Sequence, residues 1–305
     1  MAVLAVLSGM CFSIVAIAYR LGATRGVGPV HVMGTCSLMG TVLFGAKALA
    51  SGGGMPVLVP ALGLLAGATQ YMLLPLIRAA LRLGPISPLW CVLMLSFIPT
   101  TFYSCVALGE RLAPLQYAAM AAAVLCILLA CVGKGGSPVP GAGSAAPHRI
   151  RYAAVLVTML LVGCISGSCM KELDWRGDGV GGTLLARHRD TFLATLYLGI
   201  AFCAVADHVL TGKRPASWRW TAALGAMAAA GSLTGMALLV RAAAMPAAVV
   251  FTINAVSSIV FTAIVAAALL GERRSWSWYA TLACGILAAA LANGEGIIGY
   301  LAHDG

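Results

Sequence analysis

The chain predicts an all-α membrane protein, with ten transmembrane helices arranged as two inverted five-helix repeats. Three observations carry that prediction. Charged residues make up 9% of the 305 positions and hydrophobic residues 61%, where a soluble domain has roughly 25% charged residues; mean hydropathy is +0.97. The apolar residues gather into ten runs, each near the roughly 20 residues needed to cross a bilayer. Finally, one charged triplet, Gly-Glu-Arg, closes two of these runs, at 109–111 and at 271–273.

The composition leaves too few polar side chains to cover a water-facing surface, so lipid is the solvent for most of the chain. Net charge is +10, from 19 Lys and Arg against 9 Asp and Glu. The basic residues are scattered between apolar runs without a long cluster. They read as anchors at anionic headgroups, and no nucleic-acid partner is expected. The ten cysteines form no CxxC pair and have no histidine at zinc-ligand spacing, so they read as small packing residues, with no metal and no cofactor.

The expected spans are 2–19, 28–50, 56–78, 85–107, 113–133, 152–171, 188–210, 219–241, 246–270 and 276–300. Runs this long and rich in Ala and Leu suit helices, because a barrel would show short alternating segments. The first run, "MAVLAVLSGMCFSIVAIAY", has no basic stretch before it and no cleavage site, and reads as a retained span. Breaks fall at "RLGATRG", "SGGGMP", "RLGPISP" and "TGKRPAS". The least membrane-like stretch, "KGGSPVPGAGSAAPHRIR" at 134–151, reads as a flexible linker. It separates a first five-helix repeat at 1–133 from a second at 152–305.

The halves match best in their fourth spans, "ALRLGPISPLWCVLMLSFIPTTFYSCVALGER" and "LVRAAAMPAAVVFTINAVSSIVFTAIVAAALLGER". Each block has an Arg (Arg82, Arg241), then a Pro at the helix start (Pro85, Pro246), where its missing N–H costs nothing. Each ends on its triplet: Gly109, Glu110 and Arg111, or Gly271, Glu272 and Arg273. Five spans lie between the two copies, and an odd number of crossings puts them on opposite faces. That is the signature of an inverted repeat, which places a substrate site near the midplane between the halves. For the triplets themselves a structural role is expected: the Glu hydrogen-bonds loop backbone and the Gly permits a sharp exit.

In these two blocks, at 79–111 and 239–273, and in the small-residue spans after them ("YAAMAAAVLCILLA", "YATLACGILAAALA"), the chain resembles the EamA-type transporters of the drug/metabolite transporter superfamily. It departs from their usual aromatic-Gly start, which is "VLSGMC" here. The resemblance implies ten helices around a central cavity, alternating access, and movement of small metabolites or drug-like solutes, often as export. It implies a multi-pass protein of the plasma (bacterial inner) membrane with both termini cytoplasmic. Charge counting favours the reverse orientation: with the N-terminus inside, the cytoplasmic side holds seven of the 19 Lys and Arg.

Enzyme chemistry is not expected. There is no HExxH, no paired midplane carboxylates and no Ser/His/Asp set. A membrane-embedded enzyme and a non-transporting scaffold are the alternatives to a transporter, whose partners are a small-molecule substrate and the bilayer. An ionisable group inside a span marks function, but Glu110, Glu172, Asp190, Asp207 and Glu272 all sit near span ends. Asp207–His208 and Lys171–Glu172 read as solvated interface pairs, and Arg78, Arg82 and Arg241 as snorkelling side chains.

The cavity candidates are therefore polar or aromatic and uncharged. Gln70 and Tyr71 lie in the third span, and Trp90, Met94 and Ser96 in the fourth. Ser232 and Thr234 lie in the eighth, and Asn254, Ser257 and Ser258 in the ninth. Asn254 and Ser258 are four residues apart and share a helix face. Amides in lipid need partners, whereas serine and threonine hydroxyls also serve simply to let helices approach.

Overall fold

A computed structural model describes residues 1–52, 56–83, 93, 96–132, 146–176, 183–212, 215, 217–269 and 276–292. All regular elements among them are helices: α1 (Ala2–Thr24), α2 (Pro29–Ala50), α3 (Leu58–Leu83), α4 (Phe97–Ala107), α5 (Pro114–Val132), α6 (Ala146–Trp175), the single turn α7 (Leu184–Arg187), α8 (Arg189–Thr211), α9 (Trp218–Ala242), α10 (Ala247–Leu269) and α11 (Trp276–Ala292). Six of them, α1, α2, α3, α6, α8 and α9, contain stretches long and apolar enough to cross a membrane; α4, α5 and α10 contain shorter apolar stretches.

Local chemistry sets the helix ends. Pro29 opens α2 behind Gly28, and Pro114 opens α5, since proline fits the first turn. The Ser217 hydroxyl accepts from the Trp220 N–H and starts α9. Gly212, at φ +61°, closes α8 in the left-handed conformation that glycine tolerates. Several boundaries differ from the sequence expectation; the third helix, for one, runs to Leu83, past the expected 78. The first helix runs on to Thr24 because Arg20 does not interrupt it, and the turn comes at Gly26, φ +69°. The sixth begins at Ala146, inside the segment read as linker.

The principal packing partners cross between the halves. α1 packs on α9 and α10, while α6, the first helix of the second half, packs on α3 and α4. α2 packs on α8; α3 packs on α8, and α9 on α2; α4 packs on α10 and α5 on α11. Leaving the single turn α7 aside, advancing each partner by five helices returns the same pairs.

Several close glycine contacts repeat the exchange. A Cβ on Gly63 would strike the Thr195 side chain and the Phe192 carbonyl, and one on Gly225 would strike the Thr35 side chain. Gly225 follows Gly63 by 162 positions, the spacing of the two Gly-Glu-Arg copies, and Thr195 follows Thr35 by 160. Likewise Gly9 of α1 seats on Asn254, Ser257 and Ser258 of α10, while Gly163 of α6 seats on Ser96 of α4. Ser258 follows Ser96 by 162 positions. Lipid tails are as apolar as leucine, so such backbone-level contact is what joins helices in a bilayer.

Helix termini sort into two ends of the bundle. At one end the start of α1 shares a cavity with Asp174 of α6, Arg189 of α8 and Arg241 of α9. At the other, Arg25 beyond α1 lies over the Trp220 ring of α9, 4.2 Å from its centroid. His31 of α2 meets His208 of α8 there, and Arg78 of α3 meets Asp207 of α8.

Candidate functional site

The interface between the halves carries three polar levels. The first, at the end holding the α1 start, is built on Glu110. The α4 chain stops when the Leu108 and Glu110 N–H groups both donate to the Ser104 carbonyl, with Gly109 turning at φ +69°. This aims the Glu110 carboxylate at the second half. Its Oε2 accepts from the Ala247 N–H, 3.0 Å away, in the first turn of α10, where unpaired N–H groups favour a negative charge. Its Oε1 lies 2.6 Å from Lys171 Nζ. Lys171 also donates to the carbonyls of Ala243, at 3.2 Å, and Met245, at 3.1 Å. One ion pair thus joins the ends of α4 and α6 to the turn between α9 and α10.

Lys171 corrects a sequence expectation. It is 3% exposed rather than solvated, because two carbonyls and a carboxylate replace water around its ammonium group. Glu172 beside it turns to α4, accepting from the Tyr103 hydroxyl at 2.7 Å and from Arg176 Nε at 2.6 Å.

The middle level is made of hydroxyls and one amide. Tyr197 and Ser232, both buried, share a 2.9 Å hydrogen bond between α8 and α9, and Phe44 stacks on the Tyr197 ring at 5.9 Å. The Ser8 hydroxyl donates to the Gly235 carbonyl at 2.8 Å, tying α1 to α9. Asn254 lies where Gly9 crosses α10, and its Oδ1 is buried without a hydrogen-bond partner among the described residues.

The third level, at the opposite end, joins α2, α3 and α8. Arg78 Nη2 lies 3.6 Å from Asp207 Oδ2. The Tyr71 hydroxyl faces the same carboxylate, and Tyr71 itself is 6% exposed. The His31 and His208 rings meet edge to face at 5.9 Å. Asp207 and His208, read from the sequence as a solvated interface pair, keep partial exposure and also face α2 and α3, because α8 packs against both helices.

The structure distributes the sequence candidates instead of gathering them into one cavity. Asn254, Ser257 and Ser258 share the Gly9 contact, with Ser258 buried. Ser96 lies against Gly163 and donates its hydroxyl to the Leu93 carbonyl at 2.7 Å. Ser232 is bonded to Tyr197, and Tyr71 belongs to the Asp207 group. Gln70 is half-buried on α3, and Thr234 is exposed on α9. Trp90, Met94, Gly271, Glu272 and Arg273 lie outside the described residues. Arg111 is exposed beside Glu110.

No protein-family model and no curated protein matches the chain. Its fold is similar to that of a solved crystal structure, described only as that of a protein, with a TM-score of 0.70 and 18% sequence identity over 95% of each chain. That likeness establishes the fold alone.

Proposed function

We propose that the chain is a ten-span secondary transporter of the EamA type, in the drug/metabolite transporter superfamily. Two inverted five-helix repeats would move small organic solutes across the plasma (bacterial inner) membrane by alternating access. One observation carries the reading: the first Gly-Glu-Arg copy holds the start of the helix that the second copy follows. Glu110 caps α10 at Ala247, and α10 then runs away from it for 23 residues to Leu269, about 34 Å at 1.5 Å per residue. The second triplet follows at 271–273. The exchanged glycine contacts support two related halves. Polar groups at both ends, and between them the buried Asn254 Oδ1 without a partner among the described residues, suit an interface that opens alternately.

In alternating access one half rocks against the other around a fixed midplane site. Purified protein in liposomes is expected to take up a member of a panel of amino acids, sugars and amphipathic cations. Asn254→Ala should lower the rate at least several-fold, while Ser137→Ala in the linker leaves it unchanged. A folded protein that moves nothing in the panel would overturn the transport reading.

A further inference from the structure

We propose that a cavity at the Glu110 end of the bundle, largely apolar but bordered by two arginines, binds a small oxyanion of single negative charge, a carboxylate or a phosphodiester. The cavity, about 270 Å³ in volume, is lined by Asp174, Thr183, Arg189 and Arg241, with Leu4 and Val240 among its apolar contacts. It is thus bounded by the start of α1, the end of α6, α7, the start of α8 and the end of α9.

The charges on this wall are unequally engaged. Asp174 faces inward: its Oδ2 lies 3.7 Å from Lys171 Nζ, and its side chain is 13% exposed. Neither arginine makes a side-chain hydrogen bond among the described residues. Arg189 Nε is buried without a hydrogen-bond partner among the described residues. Its nearest carboxylate, Asp190, lies 3.7 Å away, beyond hydrogen-bond reach. Arg241 is exposed and makes no ion pair or side-chain hydrogen bond among the described residues. Two guanidinium groups with unfilled donors therefore border one cavity.

A guanidinium presents parallel donors that match the two oxygens of a carboxylate or phosphate. A buried donor left unpaired is costly, so an oxyanion that supplies the missing acceptor is favoured. Asp174 limits the ligand's charge: Lys171 is already paired with Glu110, so the Asp174 carboxylate on the wall offsets one of the two arginines. Leu4 and Val240 give a short hydrocarbon tail somewhere to lie. Because the cavity sits at helix ends, the anion can come from water, as a free monocarboxylate, or from a lipid headgroup, as a phosphodiester. The site stands apart from the transport reading, since occupancy is read as binding and needs no turnover.

The test uses the full chain in neutral detergent micelles. Saturation-transfer NMR reads butyrate and succinate, and native mass spectrometry reads short-chain phosphatidylglycerol. Butyrate should bind saturably, and succinate at least five-fold more weakly. Arg189→Gln and Arg241→Gln should each weaken butyrate five-fold or more, with Arg→Lys at either position giving an intermediate loss in a chain that keeps its charge and fold. Displacement of butyrate by phosphatidylglycerol identifies a lipid site, and persistence of butyrate identifies a soluble anion; both support the proposal. Absence of saturable binding of either probe to folded protein overturns it. So does butyrate binding that both arginine variants leave intact, or succinate binding as tightly as butyrate.

Discussion

Lys171 Nζ lies 2.6 Å from Glu110 Oε1, and the two residues come from different halves of the chain. Lys171 has only Asp174, at 3.7 Å, as a second carboxylate, and the two side chains are 4% and 17% exposed. Removing one member of a buried pair strands the other charge, at a cost of about 3–5 kcal/mol. Lys171→Met and Glu110→Gln should therefore each lower the thermal midpoint in detergent sharply. The double variant should recover part of the loss, since it buries no unpaired charge. Losses that simply add would show that the two residues do not act as a pair.

The Arg78–Asp207 pair gives the opposite expectation. It spans 3.6 Å, and its side chains are 33% and 30% exposed. Pairs that keep this much solvent contribute only about 0–1 kcal/mol. Asp207→Asn should shift the thermal midpoint little, and much less than Glu110→Gln. A shift equal to that of Glu110→Gln would mean that the Asp207, Tyr71 and Arg78 group bears far more of the fold than its exposure indicates.

The glycine contacts make a graded prediction. A Cβ on Gly9 would meet backbone atoms of Asn254 and Ser258, which cannot rotate away, whereas one on Gly163 would meet the Ser96 side chain at 3.0 Å. Gly45 has nothing within 4 Å. Overpacking costs typically 1–3 kcal/mol, while alanine gains up to about 1 kcal/mol over glycine in a helix. Gly9→Ala should be the most destabilising, Gly163→Ala intermediate, and Gly45→Ala neutral or stabilising, as read by thermal unfolding in the same detergent. Equal effects at Gly9 and Gly45 would contradict the close crossing of α1 over α10.

What the sequence made legible follows from where each signal resides. Helices built from long apolar runs are local, and α2, α8, α9 and α10 start and stop within a residue or two of the expected positions. The Glu110 triplet was legible as a helix-ending device because Gly109, at φ +69°, acts on its own turn. Its partner was not. Lys171 looks like an ordinary interfacial lysine in "CMKELDW", and nothing local says that the turn at Ala243 and Met245 will fold over it. Tyr71, Arg78, Asp207 and the two histidines lie on three helices and become neighbours only when α8 packs between α2 and α3. Serines divide the same way. Ser96 and Ser258 stood out as polar groups in apolar spans, but only the arrival of Gly163 and Gly9 marks them as contact points.

The sorting of helix termini into two ends supplies the last prediction, which concerns sidedness. Glu172 pairs with Arg176 at the Glu110 end, with Arg176 Nη2 2.6 Å from the Glu172 carboxylate, while Arg25 lies over Trp220 at the other end. Arg111, Arg176 and Arg25 are all exposed. If each long helix crosses the membrane, cysteines placed at 111 and 176 label from one face with an impermeant maleimide, and a cysteine at 25 labels from the other. On the inverted-repeat reading, Arg273→Cys labels with Arg25→Cys, although it occupies the triplet position of Arg111. The unmodified chain sets the background; Cys11, Cys36, Cys105, Cys164, Cys169, Cys203 and Cys284 are buried or half-buried within helices. Labelling of 111 and 273 from the same face would remove the inversion, and with it the two-sided mechanism, while leaving the Glu110–Lys171 tie intact.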